Sequence, residues 1–188
     1  MNPEHPTSPA PRGVNQAGAA GPAGAAQAGE PAVLRLNGRA VAVTASPVTP
    51  LLDVLRDEVG DTSPKPGCRE GRCGSCTVLL DGAPVLSCLL PLGRALDGEV
   101  TTVAGADRVD APPLREVREA FARAGAVQCG ICTPGMILAG AAVLAERPDA
   151  SRREIRRGLV NNMCRCTGYT KIIDALESVA RPAESDRG

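Results

Sequence analysis

Eight cysteines set the chemistry open to this 188-residue chain, and they fall into two groups of four. The first group is Cys68, Cys73, Cys76 and Cys88, within GCREGRCGSCTVLLDGAPVLSC. The second begins with Cys129 and Cys132 in VQCGICTPGM and is completed by Cys164 and Cys166 in NNMCRCTGY. Thiols this dense can form disulfides, bind zinc or hold an inorganic cluster. The single histidine, His5, lies far from both groups in sequence. Sulfur would therefore be the whole ligand set.

The first thirty residues have no basic start followed by an apolar run, and no twin arginine. No secretion signal is expected, and a cytoplasmic location follows. Cytosolic thiols stay reduced, so clustered cysteines there point to metal or redox work instead of disulfides. The first group has the spacing C-x4-C-x2-C-x11-C. That is the arrangement that holds a plant-type [2Fe–2S] cluster. Gly67, Gly71 and Gly74 lie among these thiols. Glycine accepts positive φ, which lets backbone N–H groups turn toward sulfur and offset its charge.

In the second group, C-x2-C is followed after a long interval by C-x-C. Residues two apart in an extended strand are separated by ~6.5 Å. Two thiolates serving one metal need to be closer, so a turned backbone is expected at Arg165. A Rieske centre needs two histidines, and a [4Fe–4S] run would read C-x2-C-x2-C. Neither is present. Two four-cysteine zinc sites would also use all eight thiols, but x4 beside x2 is the ferredoxin spacing and C-x-C is uncommon in zinc ribbons.

The elements that must carry these residues follow from local patterns. Residues 1–31 are rich in Ala, Gly and Pro and read as a disordered tail, as do residues 183–188. Residues 32–104 alternate in short runs. Asn37–Gly38 and Asp81–Gly82 are hairpin signals, and EVTTV is a further strand. Thr49 and Pro50 are expected to start a helix that Gly60 closes. Strands around one helix, with a cysteine-rich loop, make a β-grasp domain plausible. Residues 105–182 are helical in pattern, opening with the linker around Asp110. Helices are expected in PLREVREAFARAG, from a Thr133 cap with Pro134, from the Ser151/Glu154 capping box, and from a Thr167 cap. The helix starts at Thr133 and Thr167 each follow a cysteine directly. Their N-terminal partial charges would then favour a negatively charged cluster.

Bulk composition narrows the remaining possibilities. Acidic and basic side chains balance at 21 each, so no nucleic-acid-binding face is expected. No apolar run reaches the ~18 residues of a membrane span. With no Trp, one Tyr and one Phe, the core must be built from Leu, Val, Ile and Ala.

Together, GCREGRCGSCTV, QCGICTPGMI and MCRCTGYTKIIDAL resemble the small iron–sulfur subunit of molybdenum hydroxylases, the xanthine dehydrogenase/oxidase and carbon monoxide dehydrogenase family. Both cysteine sets stand in that family's order. The one departure singled out is Asn161, where many relatives carry Gly. The resemblance implies an α+β chain: an N-terminal β-grasp plant-type ferredoxin domain followed by a C-terminal four-helix bundle. It implies two [2Fe–2S] clusters, with molybdopterin and FAD on a large and a medium partner subunit. The C-terminal cluster would lie nearer molybdenum and the N-terminal one nearer FAD, and Gln128 and Cys166 would approach the pterin. The chain would relay single electrons and have no substrate site of its own. A free-standing ferredoxin and a zinc-binding interaction module are the alternatives. Arg72 and Arg165 lie between ligand positions, Tyr169 reads as a core or interface tyrosine, and Lys171 as a solvated cation. Metal analysis of anaerobically prepared protein is expected to return about four irons per chain and no stoichiometric zinc.

Overall fold

The computed structural model describes residues 31–109 and 113–180. The two expected tails lie outside the described residues, save for Pro31, and so does Asp110 of the linker.

Five short strands form one mixed sheet in the order β2-β1-β5-β3-β4. β1 (Ala32–Leu36) and β2 (Arg39–Val43) make an antiparallel hairpin. Asn37 and Gly38 turn it with φ of 53° and 73°. Two successive positive φ values match the right-handed twist of the strands, which is why Asn-Gly is favoured there. Asp81 and Gly82, at 51° and 82°, do the same between β3 (Thr77–Leu80) and β4 (Ala83–Leu86). β5 (Glu99–Thr101) fills the centre, parallel to β1 and antiparallel to β3.

Helix α1 (Leu51–Asp53) continues as a π-helical turn over Val54–Glu58. Leu51, Val54 and Leu55 pack on Leu34, Leu36, Val43, Val78 and Val100, forming the first core. Gly60 ends this helix at φ 80°, as expected. The expected Thr49 cap does not form: Pro50 sits at the N-cap position with extended ψ, and no side chain caps the helix. Thr49 N–H instead donates to Ser46 O, and its carbonyl accepts from Leu92 N–H. Leu92 opens a short helix, α2 (Leu92–Ala95).

The second half is built from α3 (Leu114–Arg123), α4 (Thr133–Glu146), α5 (Arg152–Gly158) and α6 (Thr170–Glu177). α4 is buried on every side, from Pro134 through Ala141 to Leu144. Its sequence, TPGMILAGAAVLAE, is apolar all round, the mark of a central helix. α3 and α6 are amphipathic and set Val117, Phe121, Ile172 and Leu176 against it. A Cβ on Gly140 would collide with the Leu176 side chain, so the absence of one lets α6 close on α4.

The two halves share strand β3. Val78 points into the sheet–helix core and Leu79 into the helical core. Residues alternate across a strand, so one strand can serve two cores only if it is apolar on both faces. TVLL is, and Thr77, Val78 and Leu79 are all buried. Among the described residues no helix is long and apolar enough to cross a membrane.

Two more expected caps are corrected. Thr133 lies inside α4, with Cys132 at the N-cap position, and no side chain caps that end. α6 begins at Thr170, after Tyr169 in a left-handed conformation, and not at Thr167. Thr167 faces Cys164 instead, as described below. The Ser151/Glu154 capping box is present in both directions. The Ser151 hydroxyl and N–H, with Arg147, hold the Glu154 carboxyl down to about 2 from its usual 4.5. The box therefore stabilises fully above about pH 4.5 and fades as pH falls toward 2. Ser151→Ala is expected to lower the melting temperature by about 2–4 °C at pH 7. Calorimetry should show the gap from wild type narrowing below pH 4.5.

Candidate metal centres

The first thiol group occupies the loop between α1 and β3. Cys68 Sγ accepts three backbone N–H groups, from Glu70 (3.4 Å), Arg72 (3.3 Å) and Cys73 (3.4 Å). Cys73 Sγ accepts from Cys68 N–H at 3.3 Å. Left-handed backbone at Arg69, Gly71 and Gly74 curls the loop so that its N–H groups face inward. Gly67, expected to be left-handed, is not among the positive-φ residues. It is needed for space, since a Cβ there would stand 2.6 Å from Cys73 Sγ. Arg69 is the left-handed residue that sequence reasoning missed, and its guanidinium ties the loop to Asp53 of α1 at 2.7 Å.

Cys76 and Cys88 complete the group from the two ends of the β3–β4 hairpin. The Ser87 hydroxyl donates to Cys76 O at 2.7 Å, so the returning end lies beside the outgoing one. Their buried thiols are within hydrogen-bonding reach of each other and share a small cluster with Leu52. Charge preferences within the site diverge. The three N–H donors pull Cys68 down to about 6, whereas burial pushes Cys76 up to about 11.

The second group gathers at the N-terminal end of α4. Cys132 stands at its N-cap position, and Cys129 lies three residues earlier. Cys164 and Cys166 arrive on the segment between α5 and α6, which bends at Arg165 as expected. The two members of C-x-C do not pair with each other's partner. Cys166 Sγ lies 3.5 Å from Cys129 Sγ, both exposed, while the more buried Cys164 thiol lies beside that of Cys132. Cys164 and Cys166 were expected to come close enough to serve one metal; the structure instead sends them to different pairs.

Local hydrogen bonds hold Cys164. Thr167 N–H donates to its Sγ at 3.4 Å and the Thr167 hydroxyl lies 3.0 Å away. Tyr169 Oη accepts Cys164 N–H at 2.8 Å and reaches Asn162 O at 3.4 Å. Burial pushes the Cys164 thiol up, but the Thr167 and Cys166 donors outweigh it and leave it lowered. Burial and the Cys164 thiol push Cys132 up to about 12. The Ile131 N–H, then the Cys166 thiol, lower Cys129. Of the two helix starts, only that of α4 directly follows a cysteine; α6 begins beyond Gly168 and Tyr169.

All eight thiols thus meet in four pairs, two pairs to a group. Among the described residues no three His, Cys, Asp or Glu side chains converge as a single ion would require. Two pairs of sulfurs suit a centre of two bridged irons, two thiols to each iron. The inward N–H donors and the space beside Gly67 fit such a group.

The two groups also abut. Met163 N–H donates to Cys73 O at 2.9 Å. The buried Asn162 carboxamide donates to Gly74 O at 3.0 Å and Thr77 Oγ1 at 3.3 Å. Sequence reasoning missed Asn162; the only signal was its place two residues before Cys164. Gln128 is exposed beside Cys129, and Lys171 is exposed on α6.

The chain matches two family models, "2Fe-2S iron-sulfur cluster binding domain" over residues 34–102 and "[2Fe-2S] binding domain" over 102–177. These make it a carrier of two [2Fe–2S] clusters, and the first implies a ferredoxin-like fold for the sheet half. It is 46% identical over 143 residues to the nicotinate dehydrogenase small FeS subunit of Eubacterium barkeri, covering 76% of this chain and 90% of that one. It is 45% identical to the xanthine dehydrogenase iron-sulfur-binding subunit of Escherichia coli O157:H7, covering 75% and 88%. In structure it is similar to a chain of quinoline 2-oxidoreductase from Pseudomonas putida 86, with a TM-score of 0.73 and 41% identity over 80% of this chain and 91% of that one. An aldehyde oxidoreductase from Desulfovibrio desulfuricans ATCC 27774 matches with a TM-score of 0.73 and 39% identity over 80% of this chain, which covers 17% of that longer chain. The chain belongs to the iron–sulfur subunits of the molybdenum hydroxylase family, a group of oxidoreductases.

The spread of thiol affinities gives a direct check. In the metal-free chain at pH 7, Cys68 is expected to react with iodoacetamide first and Cys132 among the last, because the thiolate is the reactive form. Peptide mass spectrometry against time reads the order.

Proposed function

We propose that this chain relays single electrons from a molybdopterin centre on a large partner subunit to FAD on a medium partner subunit. Cys68 with Cys73, and Cys76 with Cys88, are read as holding the two irons of the first cluster. Cys129 with Cys166, and Cys132 with Cys164, are read as holding those of the second. The observation that carries this reading is the meeting of eight thiols in four pairs. Each [2Fe–2S] group, when bound, takes up and releases one electron.

The chain's own residues supply the setting. Backbone donors from Glu70, Arg72 and Cys73 in the first loop, and from Thr167 and Ile131 in the second site, favour negative charge on sulfur. Burial of Cys76, Cys88 and Cys132 keeps water from one side of each centre. Exposure of Cys129, Cys166 and Gln128 on one face suits an approach to the pterin by Gln128 and Cys166. The first cluster then faces the FAD side.

Residues 32–104 are read as a β-grasp, plant-type ferredoxin domain and residues 105–182 as a four-helix bundle. α3 through α6 packing around one core supports the latter. A cytoplasmic location and the absence of a substrate site on this chain belong to the same reading. Relatives named for nicotinate, xanthine and quinoline show that the substrate differs within the family, and selection of it is assigned to the large subunit. Affinity purification of the tagged chain is expected to bring down two larger chains with molybdenum and FAD. Cys164→Ser should remove one of two [2Fe–2S] signals in electron paramagnetic resonance and leave the other. Loss of both signals, or of neither, defeats the four-and-four division.

A further inference from the structure

The structure assigns a task to Asn162 that the ligand sets do not: we propose that its carboxamide is a positioning device that sets the separation of the two cluster sites. This rests on the relay reading above. Asn162 touches no thiol and lies in no helix or strand, yet it is 5% exposed. A buried amide costs free energy unless its donors are used. Here Nδ2 donates across the boundary between the halves, to Gly74 O at 3.0 Å and to Thr77 Oγ1 at 3.3 Å. Gly74 lies between Cys73 and Cys76, and Thr77 follows Cys76 directly. Asn162 itself lies two residues before Cys164. One side chain therefore grips the turn that carries the first site and belongs to the segment that carries the second.

The surroundings are shaped for this grip. Gly74 O is also the acceptor for the Thr77 hydroxyl at 2.7 Å and the Thr77 N–H at 3.1 Å, which makes it a fixed anchor. A Cβ on Gly74 would stand 2.6 Å from Asn162 Nδ2 and collide with Asn161 O. A Cβ on Gly135, in the first turn of α4, would collide with Gly74 O and stand 3.1 Å from Asn162 Nδ2. Two glycines on opposite elements thus clear the space in which the amide reaches its partner. The neighbouring Met163 N–H bond to Cys73 O, at 2.9 Å, is held in register by the same grip. Tyr169 supports it from behind by reaching Asn162 O and taking Cys164 N–H.

Electron exchange between two centres falls steeply with their separation, so a small opening of this seam lowers its rate without altering either ligand set. Asn162→Ala removes both donors. Thr77→Val removes one acceptor, together with the hydroxyl's own bond to Gly74 O, and keeps the shape of the β-branched side chain. Both are made in the complete multi-subunit enzyme. Rapid-freeze paramagnetic resonance follows how fast electrons from substrate, entering at the C-terminal cluster, reach the N-terminal one. Static spectra report iron content, each cluster's own signal and the magnetic splitting between them.

With Asn162→Ala, both signals should persist at full iron content while the splitting shrinks and exchange slows severalfold. Thr77→Val should show the same change at a smaller size. Parent-like splitting and exchange in both variants overturn the proposal. So does loss of a cluster signal in Thr77→Val, which would make the contact a scaffold for ligand binding. If Asn162→Ala does not assemble, Thr77→Val decides. If the parent enzyme itself shows no exchange between two iron–sulfur signals, it is the relay reading that fails.

Discussion

Everything in this molecule answers to one constraint: sulfur that carries charge must be surrounded by donors and kept from water on at least one side. A thiolate in an apolar core is costly, and a thiolate in open solvent is readily oxidised. The chain meets this by placing its cysteines where the backbone cannot be regular. Loop 67–76 and segment 161–169 contain five left-handed residues: Arg69, Gly71, Gly74, Gly168 and Tyr169. Such conformations turn successive N–H groups toward one point. The same backbone groups would be consumed by a helix or a sheet. Irregular structure here is therefore the working part, and the sheet and helices exist to hold its ends.

That division explains the odd placement of strand β3. It begins at the residue after Cys76, carries Val78 into one core and Leu79 into the other, and turns back to deliver Cys88. The first site is therefore clamped between two hydrophobic cores instead of riding on the edge of one. The second site is tied to the same strand by Asn162 through Thr77, and α4 reaches it at Gly135. The electrostatics follow the geometry. Within each group one thiol is lowered by N–H donors and another is raised by burial, so each group has a wet, donor-rich side and a dry side.

Family membership and local physics agree on what the chain is for. Two domains of the [2Fe–2S] kind lie in succession, and the chain is similar to iron–sulfur subunits of nicotinate and xanthine dehydrogenases. The surface around Cys129 and Cys166 keeps Val127 and Ile131 exposed, at 43% and 49%. That suits a face built to meet another protein.

Much of this was legible in the sequence because it depends on local rules. C-x4-C-x2-C and the two Asx-Gly hairpins depend on neighbours a few residues apart, and so does the Ser151–Glu154 box. What failed was local in appearance but decided by contacts that a cap pattern does not encode. Thr49, Thr133 and Thr167 all stand where a cap belongs, yet each start was settled by what the rest of the chain offered: Leu92 for Thr49, the Cys132 position for α4, and the Cys164 thiol for Thr167. The pairing of Cys164 with Cys132 and of Cys166 with Cys129 was equally out of reach, because no spacing rule says which of two thiols faces which partner. Asn162 is the clearest case. A lone amide in a polar stretch means nothing until Gly74, far away in sequence, brings a carbonyl to meet it, and only the packing of two cores against one strand brings it there.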